Sequence, residues 1–178
     1  MHINKSISSI IQKDHIMKMN ILNSKRLKTI IYSFYIILVD QVSKLLIMNT
    51  LGFERSKNII PNFLNFTVVK NKGAAFSLFS NSTSILTLIS VITSLIILLL
   101  LLRFPPRSYW NLMGLTFLLG GTVGNGIDRL LKGYVIDFLQ LIPIDFPIFN
   151  IADISINVAM ICFLIDLIKT KDKSIIKY

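Results

Sequence analysis

Residues 83–102 read TSILTLISVITSLIILLLLL, twenty positions without one ionisable side chain. A helix of that length rises about 30 Å, the thickness of a bilayer's hydrocarbon core, and this one would be apolar on every face. Working outward, three more runs of similar length appear, at 29–49, 109–127 and 149–168, separated by charge, proline or turn residues. The pattern predicts an all-α polytopic membrane protein with four transmembrane helices. Composition agrees, because 53% of the 178 residues are hydrophobic and only 16% are charged, too apolar for an ordinary soluble domain. A balance of 19 basic against 9 acidic residues, net +10, would also suit nucleic acid. Apolarity this high favours the bilayer, and the sequence carries no nucleic-acid module.

The basic residues set an orientation. Twelve of the nineteen lie in a polar basic leader (1–28), in the loop holding Arg103 and Arg107, and in a tail (170–178) with the adjoining Lys169. Lys and Arg are retained on the cytoplasmic side, so both termini are expected there, flanking a membrane domain at 29–169. The leader reads as polar and irregular to about residue 24, with Met1, Met17 and Met19 as candidate starts. The first run is too long for a cleaved signal peptide and contains Asp40, Gln41 and Lys44, so it is expected to act as a permanent signal anchor. In the first outer loop (52–82), residues 62–69 are rich in β-formers and predict short strands. The second (139–147), apolar with two prolines, is expected to lie in the membrane interface. The single cysteine, Cys162, can form no intramolecular disulfide and is read as packing.

Ionisable groups inside a membrane are costly, so each is a functional candidate that needs a partner. Asp40 and Lys44 stand four apart on one helical face and can pair within the bundle, which also serves as a purely structural reading. Gly121, Asn125 and Asp128 or Arg129 form a stripe at the end of the third run, where the glycines permit close helix approach. Asp128 and Arg129 also fit a salt-bridged helix end. Asp137 is different, because its stretch GYVIDFL is apolar and offers no basic neighbour closer than Lys132. Asn150, Asp153 and Asn157 share one face of the fourth run, bringing a second carboxylate to the same membrane face. Two poorly hydrated carboxylates cannot both ionise cheaply, so one holds a proton while the other is charged, an arrangement that activates water. The only histidines, His2 and His15, lie in the leader, so a serine triad or a histidine-bound metal in the membrane is not expected. Ser77, Ser80 and Ser155 read as ordinary polar or packing residues. A small ion-coupled carrier or channel subunit is the alternative from another class, and a plain assembly subunit is a third reading.

The order of four motifs resembles the lipoprotein signal peptidase (signal peptidase II) family: DQVSK at 40–44, NKGAAF at 71–76, GNGIDR at 124–129 with GYVIDF at 133–138, and FNIAD at 149–153. Each alone is weak, and the ordered set is specific. The resemblance implies a four-helix aspartyl endopeptidase of the bacterial inner membrane. It would cut lipid-modified prolipoproteins before their diacylglyceryl-cysteine, without cofactor or metal. The family's catalytic aspartates fall on Asp137 and Asp153. Asn71, Gly73, Asn125, Asp128, Arg129 and Asn150 fall where it binds substrate or shapes the site, and Asp40 and Lys44 fall in its supporting polar network. The family also implies a small extracytoplasmic β-element, a site near the extracytoplasmic face open to lipid, and inhibition by globomycin. A monomer is expected. The long polar leader departs from the family pattern.

Overall fold

The computed structural model describes residues 2–73 and 83–175. Outside them lie Ala74, Ala75 and Phe76 of the loop motif, Ser77 and Ser80, and Lys177; the side chains of His2 and His15 are likewise not described. Four helices carry the chain: α1 (His2–Thr50), α2 (Thr83–Arg103), α3 (Tyr109–Lys132) and α4 (Ile151–Ile175). Three of them hold stretches long and apolar enough to cross a membrane, namely Met19–Thr50, Thr83–Arg103 and Ile151–Thr170. Their outer faces leave large side chains uncovered, among them Phe34, Leu99 and Leu167. Apolar exposure on that scale belongs to a protein solvated by lipid.

The expected irregular leader is corrected, since α1 begins at His2. Nothing in the sequence interrupts that helix. No glycine or proline occurs before Gly52, and both are the residues that stop helices most strongly.

Helix α3 is the centre of the bundle and packs on α4, α1 and α2. A side chain on Gly121 would bring its Cβ to 2.5 Å from the Ala152 carbonyl oxygen of α4, and one on Gly124 would come to 2.8 Å from Oδ2 of Asp40. Glycine at both positions is therefore what lets α1 and α4 approach. At the opposite end Ser108 caps α3, its hydroxyl accepting from the Asn111 amide at 2.9 Å and donating to Asp166 of α4.

Three antiparallel strands in the order β1 (Ser56–Ile60), β2 (Leu64–Asn71), β3 (Val135–Leu141) form a small sheet. The first two are the strands expected in the outer loop. The third replaces part of what reads as an apolar interfacial loop. Val135 to Leu139 are all buried, Asp137 among them, so this part of the strand is covered on both faces rather than alternating between core and solvent. The sheet core of Val68, Ile136, Phe138 and Leu139 packs on Ile47 and Met48 at the end of α1. Gly133 ends α3 in the left-handed conformation (φ 74°), its N–H bonded to the Arg129 carbonyl, and turns the chain into β3. Leu139 and Phe149 then exchange backbone hydrogen bonds of 2.8 and 3.1 Å, which brings the start of α4 against β3.

Candidate active site

That junction determines where two carboxylates meet. Asp137 stands on β3, opposite Val69 of β2. Asp153 is the third residue of α4, and Asn150 is the residue just before the helix. The Asn150 side-chain oxygen accepts from the Asp153 amide at 3.0 Å, while Asp153 Oδ2 accepts from the Asn150 amide at 3.1 Å. This reciprocal capping box orients the Asp153 carboxylate at a helix N-terminus, where negative charge is favoured.

Each oxygen of the pair takes one hydrogen bond. Asp137 Oδ1 accepts from Asn150 Nδ2 at 2.6 Å and its Oδ2 from Asn71 Nδ2 at 2.8 Å. Asp153 Oδ1 accepts from Asn125 Nδ2 at 2.8 Å. Among the described residues every ion pair is made by Lys44 or Lys132, and none reaches Asp137 or Asp153. Asparagine amides therefore hold both carboxylates without neutralising them. Asp137 is 1% exposed. Burial, and then the negative charge of Asp153, push its carboxyl up to about 6, against the opposing hydrogen bonds from Asn71 and Asn150.

Behind the pair lies a buried charge network. The ammonium of Lys44 has three hydrogens and meets three acceptors: Asp40 Oδ2 at 2.8 Å, Asp128 Oδ2 at 3.0 Å and Asn125 Oδ1 at 3.0 Å. Asp128 is completed by Lys132 at 2.8 Å and the Ile136 amide at 3.2 Å, and Asp40 by the Ala152 amide at 2.9 Å. Gln41 links Asp40 Oδ2 to the Gly124 carbonyl. Asn125 also accepts from Asn150 Nδ2 at 3.0 Å, so one amide connects this network to both carboxylates. Asp128 and Arg129, adjacent in sequence, go to different places. Asp128 is fully buried on the lysines, whereas Arg129 donates through Nη2 to the Gly73 carbonyl at 3.3 Å.

Asn71, Gly73, Asn125, Arg129, Asp137 and Asp153 line one cavity of about 1110 Å³. Asn150, Asp128, Asp40 and Lys44 stand behind its wall. Asn157, on the same face of α4, also lines the cavity, and its amide donates to the Asp153 carbonyl. Sequence reasoning missed Lys132 as the partner of Asp128, although the spacing of four was there to read. It also did not single out Lys70, Lys72 or the segment Asp145–Pro147 as lining; the pairing of Lys70 with Ile136 across β2 and β3 sets that lysine beside the site. Among the described residues no group of three or more His, Cys, Asp or Glu is placed to hold a metal ion.

Comparison with known proteins agrees with this architecture. A solved bacterial membrane enzyme superposes with a TM-score of 0.75 at 32% identity, over 82% of this chain and 90% of its own. A second bacterial membrane enzyme gives 0.71, also at 32%, covering 80% and 93%. The lipoprotein signal peptidase of Parasynechococcus marenigrum is 50% identical over 141 residues, 78% of this chain and 87% of that protein. That of Enterococcus faecalis is 42% identical over 130 residues, 73% and 81%. Apolar helices and these neighbours define the class as a membrane enzyme. Residues 32–169 match the family model for signal peptidase (SPase) II, and the chain belongs to that family of peptidases.

Proposed function

We propose that this protein removes signal peptides from diacylglyceryl-modified prolipoproteins, cleaving before the lipidated cysteine by water activation between Asp137 and Asp153. The observation that carries the reading is the convergence of two carboxylates from different elements on one cavity, each oxygen held by a single amide and neither group paired with a cation. In a poorly hydrated site such a pair holds one proton between its members. The ionised member takes a proton from water as the water attacks the scissile carbonyl. The protonated member supports the developing oxyanion, and a proton then passes to the leaving amine. Asn150 and Asn125 keep the two carboxylates in register. Arg129, Asn71 and Gly73 lie at the cavity wall where they can orient the substrate backbone, and Asp128, Asp40 and Lys44 hold the elements together from behind.

Helix α3 serves as the fourth crossing. Its glycines, Asn125 and Asp128 lower its apolarity, but it is enclosed by the other helices, and a span enclosed by protein does not need an apolar surface all round. Four crossings put both termini on the cytoplasmic side and the sheet with its cavity at the extracytoplasmic face. The exposed Ile142, Ile144 and Phe146 of the loop after β3 suit contact with the outer leaflet. The enzyme works as a monomer in the cytoplasmic membrane, and globomycin occupies the same cavity as substrate.

Substrate dependence tests this reading. Purified protein in bilayers should cleave a diacylglyceryl-modified prolipoprotein, leave the unlipidated form intact, and lose activity when globomycin is added. Equal cleavage of both forms would rule out a lipid-dependent site.

A further inference from the structure

A second recess, of about 580 Å³, opens beside the catalytic cavity and shares Lys70 and Lys72 with it. Its other walls are Lys132 and Gly133 at the end of α3, Tyr134, and Thr83 at the start of α2. Three lysines thus face one small space. Lys132 is committed to Asp128, and Lys70 is held over the rings of Phe53 and Tyr134, 4.4 and 5.3 Å from their centroids. Lys72 is exposed and has no acidic partner among the described residues. The mechanism proposed above uses neither Lys70 nor Lys72.

The surroundings identify the kind of anion. Leu131, next to Lys132, is 78% exposed, and Ile85 in the first turn of α2 is 51% exposed. Cationic side chains and a hydroxyl at the ends of membrane helices, with aliphatic side chains exposed one and two residues along those helices, match an amphiphile with a phosphate above its acyl chains. An acidic peptide would match the lysines and leave the exposed Leu131 and Ile85 unexplained. We propose that this recess binds an anionic glycerophospholipid, its phosphate on Lys70, Lys72 and the Thr83 hydroxyl and its acyl chains along Leu131. The inference rests on the placement of this end of the bundle at the membrane surface. Sharing two lysines, the bound lipid would form part of the rim through which substrate reaches Asp137 and Asp153.

Native mass spectrometry of the purified full chain with added dioleoyl-phosphatidylglycerol or dioleoyl-phosphatidylcholine tests the site without requiring cleavage, so failure here is distinguishable from failure of the peptidase reading. The anionic lipid should bind more tightly, with Lys72→Gln weakening it about five-fold and the double variant Lys70→Gln/Lys72→Gln further, while phosphatidylcholine is unaffected. Both lysines are exposed, and circular dichroism checks that the variants fold. Three results would overturn the proposal. The first is equal binding of both lipids, or no effect of the substitutions. The second is inorganic phosphate raising the thermal midpoint as much as the anionic lipid does, which would indicate a free-anion site. The third is unchanged lipid binding in variants whose KM rises only for prolipoproteins with acidic residues after the cysteine, which would indicate a peptide subsite.

Discussion

At the scale of single residues, the buried carboxylates divide by the partners they are given. Asp40 and Asp128 are each bonded to lysine, whereas Asp137 and Asp153 receive only amides. For Asp137 the consequence can be measured. Its carboxyl titrates near 6 in the folded protein and near the ordinary 3.8 when unfolded, so the folded state binds more protons between those values. Stability from this group is therefore full at low pH and is lost as pH rises through about 6, amounting to about 3 kcal/mol. Thermal midpoints in detergent between pH 4.5 and 7.5 should show wild type losing stability relative to Asp137→Asn as pH rises; parallel curves would refute the shift. Lys44 makes the opposite case. Lys44→Ala leaves Asp40 and Asp128 short of a buried counter-charge, which typically costs about 3–5 kcal/mol, and should appear as a low midpoint and poor yield. Helical spacing made the Asp40–Lys44 pair legible, because i and i+4 on one helix fix proximity. Lys44 to Asp128 was not legible, since it joins α1 to α3 and depends on how the helices pack.

At the scale of elements, the glycine stripe of α3 and the strand β3 do the positioning. Gly121→Ala would place its Cβ against the α4 backbone at Ala152, two residues from Asn150 and one from Asp153. A cost of about 1–3 kcal/mol is expected, together with lower cleavage even where the protein still inserts. A variant with wild-type midpoint and rate would show that α4 has room to move. The apolar runs at 83–102, 109–127 and 149–168 fall on helices α2, α3 and α4, which extend one, five and seven residues beyond them, because lipid-spanning length leaves a strong signal in the sequence and helix ends do not. The leader is helical although polar, because polarity alone does not end a helix and no glycine or proline precedes Gly52. Strand β3 went unread for another reason: buried from Val135 to Leu139, it lacks alternation, and its partners on β2 lie more than sixty residues away.

At the scale of the whole molecule, the number of crossings sets the sidedness. Four apolar runs are expected from the sequence, yet among the described residues only three helices are long and apolar enough to cross by themselves, and an odd number would put the termini on opposite sides. With α3 crossing as well, reporters fused at either end should both report the cytoplasm, while one inserted near Ile144 reports the outside. Terminal fusions on opposite sides would show that α3 does not cross. The same arrangement gathers Asp137 from the sheet, Asp153 from α4 and Asn125 from α3 at one end of the bundle, a convergence that no single segment carries. The most direct test of that convergence is cleavage of a diacylglyceryl-modified prolipoprotein by purified wild type, Asp137→Asn and Asp153→Asn, each verified as folded and membrane-inserted. Wild type should cleave and each substitution should lower the rate at least a thousand-fold, on the order expected when an acid–base group is lost. Cleavage at the wild-type rate by either variant would contradict the aspartate pair as the catalyst.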